Sequence, residues 1–144
     1  MIEQDTIRLL RECDAGVKMG VSSIEDVYPH VHSSHLKNLL DRCRDEHERL
    51  GNEIDEALER FGDDGKKPSA VAKNMSKMKT NMMLMMHESD STVADLMTDG
   101  CNMGVKSLNR YLNQYDAADE HAKDITKKLI NLEEKLTRDV RGYL

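Results

Sequence analysis

KMGVSSI, residues 18–24, returns 84 residues later as NMGVKSL, residues 102–108, with Met-Gly-Val, a serine and an aliphatic residue kept in place. The echo continues past the next turn. Leu36, Leu40, Cys43, His47, Leu50 and Ile54 are matched by Ala118, Ala122, Ile125, Leu129, Leu132 and Leu136 at a spacing of 82. Both sets advance by three and four residues, the period of one stripe along an α-helix. Two stripes joined by a short link make an antiparallel hairpin, so the repeat predicts two similar helical hairpins. Gly20 and Gly104 occupy the same place in the two copies. A glycine inside a helix costs about 1 kcal/mol relative to alanine, so both are expected where neighbouring backbones come close.

The flanking segments extend this pattern. Ile7, Leu10, Asp14, Val17, Val21, Ile24, Tyr28 and Val31 form the first stripe, which should end near Pro29 because proline lacks the amide that continues the ladder. Ser34 is expected to cap the second helix, whose stripe runs on to Leu58 and Phe61 before FGDDGKKP closes it with glycines and a proline. The first hairpin therefore covers about residues 3–62. A helix over about residues 69–88 comes next, and the ESDS sequence supplies caps for a second hairpin over about residues 91–143. Residues 1–144 fit one domain.

Composition agrees. Charged residues make up 33% of the chain and aromatics 3%, with two prolines and no tryptophan, which favours long amphipathic helices and an all-α fold. A net charge of -6 without a local basic run excludes a nucleic-acid backbone as partner. No window approaches the ~20 apolar residues of a membrane span, and the start has neither a basic stretch nor an apolar core like that of a secretory signal. A cytoplasmic protein is expected. Cys13, Cys43 and Cys101 are too far apart, and odd in number, for a disulfide framework or a zinc knuckle, so they read as reduced, semi-buried residues.

The segment NMSKMKTNMMLMMHESD, residues 74–90, holds Met75, Met78, Met82, Met83, Met85 and Met86. Lys73, Lys77, Lys79 and Asn81 interrupt any apolar span here, which rules out a membrane helix. The spacing suits a helix packed in the core or docked on a partner, with Met83, off the main stripe, favouring burial between the hairpins or in a homodimer contact. Thioethers at this spacing, with His87 beside them, also suit Cu(I) or Ag(I), and an oxidation-sensitive patch is a third reading. If the helix is exposed, it becomes the foremost partner-binding surface.

The layout resembles the ferritin-like superfamily, whose four-helix bundles are built from two related hairpins and a connecting segment. More narrowly it resembles an uncharacterised group of bacterial ferritin-like proteins. The likeness lies in LLRECDAGVKMGV, in HLKNLLDRCRDEHERLGNEIDEALERFG and in the second hairpin from ADLMTDGCNMGVKSLNRYLNQY onward. It implies an up-down four-helix bundle of two related hairpins with an intervening Met-rich helix. Iron-binding members carry a glutamate on each of two helices and Glu-x-x-His on the other two, so that carboxylates and imidazoles converge on two cations. This chain has no Glu-x-x-His.

Asp14 and His47 are the ionisable residues on the apolar stripes of the first hairpin, and a lone buried carboxylate needs a donor, a metal or water. With the turn centred near Ser33, Asp14 lies level with Asn52 and His47 with Met19, an axial offset of roughly 7 Å that argues against one shared metal. His30, His32 and His35 in PHVHSSH are close enough to bind a transition metal or to titrate together, though a structural zinc would want a fourth ligand. No phosphate loop or nucleophile elbow is present. The resulting expectation is a non-catalytic helical protein, without a cofactor, acting through another protein or as a homo-oligomer. The alternatives are iron or another transition metal held at an atypical ferritin-like centre, with or without oxidase chemistry, and soft-metal binding by the methionine helix.

Overall fold

The computed structural model describes residues 2–144. Five α-helices succeed one another: α1 (Ile2–Val27), α2 (Ser34–Glu59), α3 (Ala70–Met86), α4 (Asp90–Gln114) and α5 (Glu120–Val140), and no strand occurs among the described residues. The helix ends obey local chemistry. α1 stops at Val27, where Tyr28–His30 tighten into a 3-10 turn around Pro29. Ser33, one residue before the expected cap, accepts the Leu36 amide at 3.2 Å, because Ser34 already has helical backbone. Ser69, Ser89 and Asp119 cap α3, α4 and α5 in the same way.

α1 packs on α2, α4 and α5, while α5 also packs on α2 and α4, and α3 lies mainly against α1 and α4. Polar clasps at the helix ends fix the directions. The Asp90 carboxylate, at the start of α4, accepts the backbone amides of His32 at 2.8 Å and Ser33 at 3.0 Å in the α1–α2 turn. At the opposite end, the amides of Ala117 and Asp119 donate to Asp5 and Thr6 near the start of α1. α4 thus runs against α1, and α5 runs with it. α3 returns the chain from the end of α2 to the α1–α2 turn.

The loop after α2 is tied down on α1. Arg11 grips the Asp63 carboxylate, Lys66 Nζ donates to Glu12 at 2.5 Å, and the Lys66 amide donates to Asp14 at 2.9 Å. Gly65 makes the bend with φ of +86°, and a side chain there would collide with the Asp14 carboxylate.

Two apolar clusters make the core. One holds Leu9, Leu10, Leu50, Ile54, Ile125 and Leu129 with their neighbours, and the other holds Ile24, Val27, Leu36, Leu40, Val93 and Leu136 with theirs. Between them, at mid-height, lies a polar layer.

The buried polar layer and the exposed methionine face

The layer is built by one residue from each of α1, α2, α4 and α5. His47 of α2 is 1% exposed and Glu133 of α5 is 9% exposed. The His47 Nε2–H donates to Glu133 Oε1 at 3.0 Å, and its Nδ1–H donates to the Cys43 carbonyl at 2.8 Å. A carbonyl on one side and a carboxylate on the other both ask the ring to donate, which favours the imidazolium. Burial pulls the His47 pKa down, but hydrogen bonding at Cys43 and Glu133 and the attraction of the carboxylate outweigh it and push the value up to about 10.

Gly20 of α1 and Gly104 of α4 complete the layer. A Cβ on Gly20 would stand 2.8 Å from His47 Nε2, so this glycine makes room for the imidazole ring and not, as expected, for a neighbouring backbone. A Cβ on Gly104 would rest 3.6 Å from the Glu133 carboxyl carbon, an ordinary contact, so the second glycine is not forced by packing. The register of the first hairpin lies within two residues of the expected one. His47 stands beside Gly20, and Val17 stands beside Gly51.

Asp14, 2% exposed, has its own partners: Lys18 Nζ at 2.8 Å and the Lys66 amide at 2.9 Å. It fastens the loop after α2, and the structure does not bring it to His47. In the histidine-rich turn, His30 and His32 come together on one carboxylate while His35 lies apart. His30 Nδ1 meets Glu88 Oε1 at 2.5 Å and His32 Nε2 lies 3.7 Å from Oε2 of the same carboxylate, while His35 stacks on Tyr143 at 6.2 Å. The bond to His30 holds the Glu88 carboxyl below its ordinary pKa.

Among the described residues, no group of three or more His, Cys, Asp or Glu side chains is placed to hold a metal ion. The donor set does not fit the di-iron centre that the ferritin-like resemblance implies. At mid-height there is one imidazole with both nitrogens bound to protein acceptors, and one carboxylate bound to that imidazole. The three cysteines are buried, deeper than semi-buried. Burial pushes the Cys13 thiol up to about 12, and burial together with Glu133 pushes the Cys101 thiol up as well.

Glu133 is the site residue that the sequence reading missed. It lies four residues after Leu129 and three before Leu136, squarely on the stripe, but the neighbouring Leu132 fits the same spacing and drew the assignment. Leu132 is instead only partly buried at the edge of the cluster.

Helix α3 departs most from expectation. Met75, Met78, Met82, Met85 and Met86 are between 60% and 88% exposed, so burial between the hairpins does not occur for them. Thr80, Leu84 and the partly buried Met83 face inward. At about 100° per residue, Val71 and the five exposed methionines occupy one arc of about 100°, opposite Thr80 and Leu84. No polar residue falls within it. Lys77 and Lys79, outside the arc, lie 3.8 Å from Asp26 and 3.7 Å from Asp99.

These features define an all-helical protein with a buried imidazole–carboxylate layer and one helix whose outer face is methionine. Among the described residues, no helix is long and apolar enough to cross a membrane. Comparison with protein-family models, curated proteins and solved structures found no match to this chain.

Proposed function

We propose that this chain is a ferritin-like bundle of α1, α2, α4 and α5, with α3 as the crossover, that works through contacts and not through catalysis. The layout is supported by the helix directions, which run up, down, down and up once α3 has carried the chain back, and by the repeat relating the two hairpins. The contact surface is the outer face of α3, and its partner is a second copy of the chain. The observation that carries this reading is the uninterrupted stripe of Val71 and five methionines on the side of α3 remote from its own bundle. Methionine is flexible and polarisable, so such a stripe adapts to a facing surface at little cost in fit. The open groove between α2 and α5, by contrast, is rimmed by Glu46, Arg49, Glu53 and Lys128, whose alternating charges suit a solvated face.

Sedimentation velocity over a wide concentration range tests the proposal. The wild-type chain should associate, and Met78→Glu with Met82→Glu should leave a folded monomer. A wild-type chain that stays monomeric at the highest concentration overturns self-association.

A further inference from the structure

We infer that the outer face of α3 is also a binding site for a soft monovalent cation, Cu(I) or Ag(I), held by the thioethers of Met82, Met85 and Met86. The first ground is the division of residue types. The two apolar clusters are built of leucine, isoleucine, valine, alanine and cysteine, with Met97 as the one buried methionine among them. The exposed stripe of α3 contains no leucine, isoleucine or aromatic residue. Apolar area alone would be served by the aliphatic residues used everywhere else in the molecule. Methionine adds flexibility, which suits the self-contact proposed above, and it also adds sulfur, a soft donor that leucine lacks.

Geometry is the second ground. Met85 and Met86 lie three and four residues after Met82, so the three thioethers stand on adjoining turns of one face. Residues at these spacings stand about 5–6 Å apart at Cβ, and the unbranched side chains can close several sulfurs on one ion. All three are exposed on the single chain, so their lone pairs are open to a ligand before any self-contact covers them. A neutral thioether is a soft donor, and no Asp, Glu or His in α3 offers the hard or borderline ligands that would draw Mg²⁺ or Zn²⁺. The stronger soft ligands of the chain do not compete well, because Cys13, Cys43 and Cys101 are buried.

Silver titration of the full chain, labelled with [methyl-¹³C]methionine and monitored by NMR, decides the matter. The methyl resonances of Met82, Met85 and Met86 should move together and saturate at about one equivalent of Ag(I), while Met19 and Met97 stay in place. The triple variant Met82→Leu, Met85→Leu, Met86→Leu should bind silver at least roughly tenfold more weakly. Absence of methyl shifts at millimolar silver overturns the site. So does undiminished affinity in the triple variant, which would put the ion on the thiols. Because leucine keeps the apolar face, self-association should survive in that variant, so the two readings fail separately.

Discussion

His47 and Glu133 show how closely a single pair can be fitted into a helical core. Removing either partner strands the other charge away from water, so Glu133→Ala or His47→Ala should cost about 3–5 kcal/mol in urea denaturation. The two glycines should behave differently despite their equivalent sequence positions. Gly20→Ala drives a Cβ into the His47 ring and should cost about 1–3 kcal/mol by overpacking. Gly104→Ala meets only ordinary contact and should be neutral or stabilising by up to about 1 kcal/mol through helix propensity. The same pair makes stability depend on pH. The folded pKa of His47, about 10, lies above its ordinary value of 6.5, so between these the native state binds more protons than the unfolded chain. Stability from this group is therefore complete below about pH 6.5 and lost as pH rises towards 10. Denaturation midpoints measured across that interval should fall for the wild type, and the His47→Gln variant should lack this component.

At the scale of the element, α3 and the loop before it are held in different ways. The loop is fastened at Arg11, Glu12 and Asp14, and Arg11 keeps the Asp63 carboxyl below its ordinary pKa. Gly65→Ala should therefore destabilise by about 1–3 kcal/mol, since φ of +86° strains any residue with a Cβ. α3 itself rests on a narrow seam of Thr80, Met83 and Leu84. Few buried contacts mean low local stability, so its amides should exchange faster than those of the other four helices in native-state hydrogen exchange. The sequence reading placed all five helices to within a few residues, because each carries its own stripe and polar cap. It could not say which way α3 faces. The methionines and the Thr80–Leu84 seam both satisfy helical spacing, and which side meets the bundle depends on α1 and α4, whose positions no local pattern encodes.

For the whole molecule, the repeat of Met-Gly-Val made the two hairpins legible, and the register deduced for the first was correct to within two residues. The polar layer was only half legible. His47 announced itself as an imidazole among aliphatics, whereas Glu133 was hidden by Leu132, and its pairing with His47 spans 86 residues. Such a contact is set by how α2 and α5 pack, not by anything near either residue. The layer lies between the two apolar clusters, one on either side of it along the bundle. If α2 or α5 slid by a single turn, an aliphatic side chain would face the lone charge, and an ion would be left in oil. The cross-section therefore serves as a key cut for one alignment, so mispaired compact forms are penalised even where their overall greasiness is equal.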